Sequence, residues 1–200
     1  MDAPTTSQDF DAAYKAPLTM WGDWRIPSEV ERLVAGRGSA RVLELGCGIG
    51  RISRYMARYG LAVTGVDFSP IAIEKAKSRV AGDPSKPEFF VDDVRELSRV
   101  TGPFDLSIDV GCFHCLDGDG QVRYAAALAR LLRPGATHLM WVMNDPPSRR
   151  SMAAADIGQT FASAFDMARV VDRRRRLAPS RWFWLVRRET AADDLQAVPS

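Results

Sequence analysis

The stretch Val42-Leu43-Glu44-Leu45-Gly46-Cys47-Gly48-Ile49-Gly50 combines a short apolar run with three alternating glycines. The run from Arg41 to Leu45 is aliphatic or β-branched apart from Arg41 and one acid, which is typical of a short buried strand. Alternating glycines allow a tight turn and a close approach of the backbone to a ligand. A helical pattern follows at once, and a helix N-terminus presents free N–H groups and a positive dipole end. Strand, loop and helix together predict a nucleotide-type pocket.

The spacing of these glycines narrows the choice of ligand. The dinucleotide fingerprint is G-x-G-x-x-G, whereas here the third glycine comes one residue early and gives G-x-G-x-G. No G-x-x-x-x-G-K-[ST] phosphate loop occurs in the sequence, which disfavours a nucleoside triphosphate. Glu44 places a carboxylate just before the loop, where it would repel a pyrophosphate and attract an ammonium group.

An acid followed by G-x-G-x-G resembles the first motif of the class I S-adenosylmethionine-dependent methyltransferases. The resemblance is to the small-molecule type, similar to the thiopurine and tellurite-resistance groups. It implies that S-adenosylmethionine is the cofactor, and that its methionine part is held by Glu44 and by the loop residues Gly46, Cys47, Gly48 and Gly50.

A second apolar run, Leu61 to Asp67, ends in an acid that lies 21 residues beyond Gly46. This is close to the interval of about 20 residues at which a carboxylate meets ribose hydroxyls. Two carboxylate oxygens can accept both protons of a cis-diol. We therefore expect Asp67, with the adjacent Phe68, at the cofactor. The alternative is that Asp67 caps the next turn.

The next two predicted strands, Pro87 to Val91 and Phe104 to Val110, each lead into an acidic position. In the family that the chain resembles, an acid after the third strand accepts a hydrogen bond from the adenine amino group, and the next N–H reaches a ring nitrogen. This implies Asp93 and Val94 here. Asp109 lies at the carboxyl end of the fourth strand, where the methionine part and the reactive methyl are expected in an open α/β sheet.

Cys112-Phe113-His114-Cys115 looks like half of a zinc site, but no second C-x-x-C and no H-x₃₋₅-H exists, so no metal is expected. A segment of the form acid-x-G-x-F-H is common in the small-molecule methyltransferases that the chain resembles. The resemblance implies that Phe113 lines the cofactor and that His114 faces the transferred methyl. An ordinary pKa near ~6.5 would let His114 act as a general base. The alternative is a structural hydrogen bond to a loop carbonyl.

Two further segments are expected to contact the methyl acceptor. In methyltransferases of this type an aromatic N-terminal segment folds over substrate and methyl donor, which implies pocket roles for Trp21 and Trp24, and tryptophan can hold a sulfonium by cation–π attraction. The alternative is that these aromatics only pack a helix onto the sheet. Asn144 follows the fifth predicted strand, Thr137 to Met143, and opens a loop of the kind that carries substrate contacts.

Seven strands alternate with about six helices until a final hairpin, Met167 to Arg173 and Arg181 to Arg187. A turn at Arg133-Pro134-Gly135 is predicted before the fifth strand, and a helix is predicted from Ala155 to Phe165. The pattern predicts an α/β fold with a three-layer, doubly wound, mostly parallel seven-stranded sheet. The closing antiparallel hairpin is similar to the methyltransferase variant of the Rossmann-like fold. We expect one domain over residues 10–188, with an N-terminal lid and helix segment at 10–40, flanked by flexible segments at 1–9 and 189–200.

Charge and composition restrict the possible partners. The 27 basic and 25 acidic side chains give a formal charge of +2, too even to suggest nucleic acid or a membrane surface. No run of 18 apolar residues occurs, and Met1-Asp2-Ala3-Pro4 lacks the pattern of a signal peptide. Three cysteines argue against a disulfide framework and favour a cytoplasmic setting. Four arginines at 173–176 could bind an anionic substrate or nucleic acid, although a solvated hairpin end is the commoner explanation.

These observations predict a methyltransferase that transfers a methyl group from S-adenosylmethionine to a small molecule, with the acceptor atom left open. Two alternatives remain: a nicotinamide-dependent oxidoreductase, and a protein that binds S-adenosylmethionine without transferring its methyl group. Methylation of a nucleic acid is disfavoured because the N-P-P-[YF] motif is absent, since Asp145 follows Asn144.

Overall fold

The structure is a computed structural model that describes residues 7–15, 25–84, 86–144, 146, 150–175 and 178–189. Six helices, one 3₁₀ turn and seven strands follow one another along these residues. They are α1 (Ser7–Lys15), α2 (Ser28–Val34), β1 (Arg41–Leu45), α3 (Arg51–Arg58), β2 (Ala62–Asp67), α4 (Pro70–Arg79), β3 (Glu88–Val91), β4 (Phe104–Val110), the 3₁₀ turn (Phe113–Cys115), α5 (Gly118–Leu131), β5 (Leu132–Met143), α6 (Ala154–Phe161), β6 (Phe165–Arg175) and β7 (Ala178–Arg187).

The seven strands form one sheet in the order β3-β2-β1-β4-β5-β7-β6. The first five strands pair in parallel, whereas β7 runs antiparallel to both β5 and β6. The predicted mixed sheet with a terminal hairpin is therefore confirmed. Because Met143 pairs with Ser180 and Arg173 also pairs with Ser180, the β6–β7 turn lies at the same edge as the carboxyl ends of the parallel strands.

Helices cover both faces of the sheet because side chains alternate along each strand. In β1, Val42 belongs to a core cluster with Val30 of α2 and Met56 of α3. Its neighbour Leu43 belongs to the cluster on the other face, which is built with α5 and α6 and includes Tyr124, Leu128 and Phe161. This alternation produces the three layers predicted from the sequence.

Several element bounds differ from the predicted ones. Helix α1 begins at Ser7, inside the segment expected to be flexible, because its apolar side packs against α4 rather than facing solvent. Helix α6 ends at Phe161, and Phe165, expected in that helix, begins β6. Strand β5 starts at Leu132 instead of Thr137, with a register shift against β4 where the predicted Arg133-Pro134-Gly135 turn lies.

Of the predicted C-terminal tail, 189–200, only Glu189 belongs to the described residues. Among the helices that the structure describes, none has the length and apolar character needed to cross a membrane.

Candidate cofactor and acceptor site

The loop after β1 is a left-handed backbone segment that requires glycine. Gly46, Gly48 and Gly50 have φ angles of 64°, 53° and 74°, which side-chain-bearing residues rarely adopt. A Cβ on Gly46 would lie 2.5 Å from Cβ of Cys112, in the loop after β4. A Cβ on Gly48 would lie 2.8 Å from the hydroxyl of Tyr14. The missing side chains therefore let three parts of the chain meet at this loop.

Asp67 joins the end of β2 to the glycine loop. Its Oδ2 accepts the N–H of Gly48 at 2.9 Å, and its Oδ1 accepts the N–H of Ser69 at 3.0 Å. The carboxyl group is buried, and desolvation raises its pKa above the ordinary value. Since a carboxylate oxygen can accept more than one hydrogen bond, each oxygen keeps capacity for a hydroxyl donor.

Glu44, in β1, is a buried carboxyl group next to the same loop. It accepts a hydrogen bond from the hydroxyl of Ser53 in α3. Desolvation raises its pKa to about 7, although the Ser53 bond and the charge of Arg51 act in the opposite direction. A positively charged ligand group beside it would favour the ionised form.

Helix α1 covers the glycine loop by packing on α4 and on the loop that precedes it. The Ser69 hydroxyl donates to the carboxylate of Asp11, and the Lys75 ammonium donates to the carbonyl of Tyr14. The rings of Phe10 and Phe68 meet edge to face with centroids 5.0 Å apart. These contacts hold α1 across the start of α4.

Tyr14 is the site residue that sequence reasoning missed. Its side chain is only 8% exposed, and desolvation together with Asp67 raises the pKa of its hydroxyl above the ordinary value. Trp21 and Trp24, which were expected at the pocket, lie outside the described residues. The i, i+4 spacing of Phe10 and Tyr14 could have identified α1 as a packed helix.

The two acids after β3, Asp92 and Asp93, have different surroundings. Asp92 is buried and accepts the N–H groups of Asp93 and Arg99 at 2.9 and 2.7 Å, so it closes the local turn. The Asp93 carboxylate lies nearer the surface, 2.6 Å from the guanidinium of Arg95. Burial would raise the pKa of Asp93, but the Arg95 hydrogen bonds and charge leave it below its ordinary value. The Asp92 N–H donates to the Asp67 carbonyl at 3.1 Å, which brings this turn to the end of β2.

Asp109 organises the loop after β4. Its side chain is fully buried and accepts the N–H groups of Gly111, Cys112 and Phe113 at 3.0, 2.8 and 2.9 Å. The Tyr124 hydroxyl donates to it at 2.9 Å, and desolvation raises its pKa to about 6. Its carboxylate is thus directed at the protein interior, whereas the sequence predicted a contact with the cofactor.

The Tyr124 hydroxyl continues this buried network across the sheet. It lies 3.3 Å from Nε2 of His138, whose Nδ1 lies 2.8 Å from the Ser107 hydroxyl. Desolvation lowers the pKa of His138 to about 3, so the ring is neutral. The network connects α5, β5 and β4 to the loop that carries His114.

Phe113 and His114 point to different surroundings. The Phe113 ring is fully buried, with centroids 5.1 Å from Tyr124 and 5.5 Å from Phe161. The expected contact between the Phe113 ring and the cofactor is therefore replaced by core packing. Nδ1 of His114 accepts the N–H of Met143 at 3.3 Å, which leaves the proton of the neutral ring on Nε2. Desolvation lowers the pKa of His114 to about 4.

The remaining predicted site residues have less specific surroundings. Val94 is buried in the core cluster that includes Tyr124. The Cys47 side chain packs with Ile73 and Phe89, and the three cysteines are free thiols. Asn144 is exposed, and its N–H donates to the Pro179 carbonyl at 3.1 Å. Among the described residues, no group of three or more histidine, cysteine, aspartate or glutamate side chains could hold a metal ion.

Comparison with known proteins agrees with this geometry. Residues 42–135 match the methyltransferase domain family. Over 99 residues the chain is 35% identical to an uncharacterized methyltransferase of Schizosaccharomyces pombe (strain 972), a match covering 50% of this chain and 68% of that protein. The chain belongs to the methyltransferase family. The methyltransferase uses S-adenosylmethionine as its cofactor, in agreement with the acid and glycine loop that end β1.

More distant relatives extend the comparison. The methyltransferase is 33% identical over 116 residues to the ubiquinone biosynthesis O-methyltransferase of Xanthomonas oryzae pv. oryzae (strain PXO99A), a match covering 57% of this chain and 47% of that protein. It thus spans about half the length of that relative.

Solved structures agree over nearly the whole chain. A structure concerned with conversion of a disulfide bond into a thioacetal group during echinomycin biosynthesis is 26% identical, with a TM-score of 0.79, covering 96% of this chain and 98% of that one. The N-methyltransferase NodS of Bradyrhizobium japonicum WM9, in complex with S-adenosyl-L-homocysteine, is 19% identical with a TM-score of 0.77, covering 93% and 100%. At 19% identity, the similarity to NodS shows only that the two chains share a fold.

Proposed function

We propose that this methyltransferase transfers the methyl group of S-adenosylmethionine to a small-molecule acceptor at the edge of the sheet where β1, β2 and β4 end. The observation that carries the proposal is the position of Tyr14. Its buried side chain reaches Gly48 from α1, while Cys112 reaches Gly46 from the loop after β4. The glycine loop is thus enclosed from two sides, a geometry that suits an acceptor small enough to enter between them.

The proposed cofactor contacts follow the order of the strand ends. Glu44 and the backbone of Gly46, Cys47, Gly48 and Gly50 would hold the methionine part, because the carboxylate attracts the ammonium and the glycine loop allows close approach. Asp67 would accept the ribose hydroxyls, with Phe68 beside it against α1.

Asp93 and Val94 would bind adenine through the Asp93 carboxylate and the Val94 N–H. That N–H belongs to a buried residue and has no acceptor among the residues that the structure describes. A ring nitrogen of adenine would give this N–H an acceptor.

The bound cofactor supplies an electrophilic methyl group on a sulfonium sulfur. Transfer of that methyl requires in-line placement of the acceptor atom, so positioning by the protein supplies much of the rate. The loop fixed by Asp109 would set one wall of the acceptor space, and Nε2 of His114 would face it. In this geometry Nδ1 accepts the Met143 N–H and Nε2 carries the proton, so Nε2 would donate a hydrogen bond to the acceptor. Action of Nε2 as a general base would require a change of tautomer that breaks the Met143 hydrogen bond.

The function is tested by calorimetric titration with S-adenosylmethionine and S-adenosylhomocysteine, followed by a screen of thiols, phenols and amines for methyl transfer. We expect micromolar-range binding to the wild-type protein. Asp67→Ala should weaken it at least about tenfold, because hydrogen bonds to a charged group are lost.

Asp156→Ala provides a matched control, since Asp156 is an exposed carboxylate on α6. It should bind like the wild type. Failure of both ligands to bind the wild-type protein would overturn the proposal. Binding without methyl transfer to any acceptor class would instead favour a protein that uses the cofactor in another way.

A further inference from the structure

A cavity of about 470 Å³ lies beside the carboxyl end of β5, outside the residues proposed to hold the cofactor. It is lined by Asn144, Asp172, Arg173, Arg174, Pro179 and Arg181. Three arginines and one aspartate therefore line this cavity, which is open to solvent.

The local charges leave this cavity positive. Nε of Arg173 donates to Glu29 of α2 at 3.1 Å, and Nε of Arg181 donates to Asp172 at 2.6 Å. Arg174 is exposed, and its guanidinium forms no hydrogen bond or ion pair with any residue that the structure describes. Among the described residues of the lining and their ion-pair partners, three arginines stand against the carboxylates of Asp172 and Glu29, so one positive charge remains. Arg173 and Arg181 also keep unused N–H donors, because a guanidinium carries five.

Arg181 is held more firmly than a solvated arginine at a hairpin end. Its side chain is only 21% exposed, and besides the bond to Asp172 it donates to the Met152 carbonyl at 3.2 Å. A guanidinium fixed in this way loses little further conformational freedom when it binds an anion.

The cavity lies on the acceptor side of the site. Asn144 directly follows Met143, whose N–H donates to Nδ1 of His114, and the Asn144 N–H joins β5 to the hairpin at Pro179. Asp67 is the last residue of β2, and Asp93 follows the end of β3. In the sheet, β1 and β4 lie between these two strands and β5. A ligand group in the cavity would therefore belong to the acceptor rather than to the adenosine part of the cofactor.

We propose that the methyl acceptor carries an anionic group, a carboxylate or a phosphate, which binds in this cavity to Arg174 and Arg181. Guanidinium groups recognise both anions through paired, charge-assisted hydrogen bonds, and the exposed Asn144 amide adds neutral donors at the rim. This proposal rests on the proposed function, because it assigns the substrate class of the same site.

The test uses the full chain saturated with S-adenosylhomocysteine and titrated with benzoate, phenyl phosphate and the neutral analogue benzamide, followed by calorimetry. We expect at least one of the two anions to bind measurably and benzamide to bind at least about tenfold more weakly, as for the loss of a charged hydrogen bond. Comparison of benzoate with phenyl phosphate distinguishes a carboxylate site from a phosphate site.

Arg174→Gln should weaken anion binding about tenfold or more. Arg58→Gln, which removes the same charge from an exposed position on α3, should leave it unchanged. Arg181→Gln should act like Arg174→Gln, with its thermal midpoint measured alongside because Arg181 also donates to the Met152 carbonyl.

Each other result contradicts the inference in a distinguishable way. If S-adenosylhomocysteine binds but neither anion does, or if Arg58→Gln weakens the anions as much as Arg174→Gln, the acceptor subsite is wrong while the proposed function stands. If S-adenosylhomocysteine itself does not bind, the proposed function fails. Tight binding of a single-stranded oligonucleotide that is lost in Arg174→Gln would assign the arginines to nucleic acid and overturn the small-anion proposal.

Discussion

Glu44 connects proton binding to cofactor binding because burial brings its pKa to about 7. An ammonium group beside it favours the ionised carboxylate, so the ligand should displace a proton below neutral pH. We expect the affinity for S-adenosylhomocysteine to rise between pH 5.5 and about 7 by up to about tenfold per pH unit and then to level off.

Glu44→Gln should weaken binding and remove most of this pH dependence. Calorimetry in two buffers of different ionisation enthalpy would count the released protons directly. An affinity that is independent of pH in the wild-type protein would show that the ammonium group lies elsewhere.

His114 is the residue proposed to act at the acceptor. His114→Ala should lower turnover by about 100-fold, the lower end of what a positioned side chain contributes to proton transfer. The affinity for S-adenosylhomocysteine should change little, because the proposed cofactor contacts lie at other strand ends. Since the pKa of His114 is about 4, the ring stays neutral between pH 5.5 and 8, and its protonation should produce no loss of activity in that range. An unchanged turnover number in the alanine variant would remove His114 from the mechanism.

At the scale of elements, the network of Asp109, Tyr124, His138 and Ser107 fixes the loop after β4 from the interior. Tyr124→Phe removes the hydroxyl that donates to Asp109 and nearly preserves the volume of the ring. We expect a loss of about 1 to 2 kcal/mol in the free energy of unfolding, as for one buried hydrogen bond. Turnover should fall while the affinity for S-adenosylhomocysteine is retained, because the loop carries His114 and not the adenosine contacts.

Urea denaturation and steady-state kinetics would measure the two effects of Tyr124→Phe. Tyr59→Phe is the matched control, since Tyr59 is 60% exposed at the end of α3. Equal behaviour of the two variants would mean that the network does not position the loop.

At the scale of the whole molecule, the buried acids and the buried histidines have opposite effects on the pH dependence of the free energy of unfolding. Because the pKa values of Glu44 and Asp109 are raised in the folded protein, protonation of these groups adds to the free energy of unfolding. For Glu44 this contribution is complete below its ordinary pKa of 4.5 and is lost as the pH rises to about 7. For Asp109 it is complete below 3.8 and is lost as the pH rises to about 6. The pKa values of His114 and His138 are lowered in the folded protein, so their neutral rings add to the free energy of unfolding above the ordinary pKa of 6.5. This contribution is lost as the pH falls to about 4 for His114 and to about 3 for His138. Near pH 5.5 the two histidines therefore oppose Glu44 and Asp109, and Asp67, whose pKa burial also raises, acts in the same direction as the acids.

Glu44→Gln removes one opposing acid, so around pH 5.5 its stability should rise with pH relative to that of the wild-type protein, by up to about 1.4 kcal/mol per pH unit. Urea denaturation at several pH values checks both slopes. Parallel curves for the two proteins would contradict the assignment of Glu44 as a buried, proton-binding group.

The fold could be predicted from the sequence because its signals are local. The apolar run before Gly46, the acid at Asp67 and the alternation of strands and helices each depend on neighbouring residues. The antiparallel hairpin was also predicted, since two β-rich runs follow each other without a crossover helix. Element bounds were less accurate where packing decides them, as at Phe165, which enters β6 instead of extending α6.

The site was only partly predictable because its remaining features depend on tertiary contacts. Tyr14 reaches Gly48 through the docking of α1 on α4. The orientation of Asp109 depends on Tyr124, which stands 15 residues further along the chain. Phe113 fits a motif in the sequence, yet its ring is drawn into the core by Tyr124 and Phe161. Linear spacing carries no information about these partners.

The ion pair between Glu29 and Arg173 joins residues that are 144 positions apart. A ribosome releases the chain from its N-terminus, and structure can form as the segments emerge. The residues proposed to hold the cofactor, from Glu44 to Val94, emerge well before Arg173, Arg174 and Arg181. A nascent chain therefore contains the residues proposed to hold the cofactor before it contains the arginines proposed to bind the acceptor, so the proposed anion subsite is completed late in synthesis.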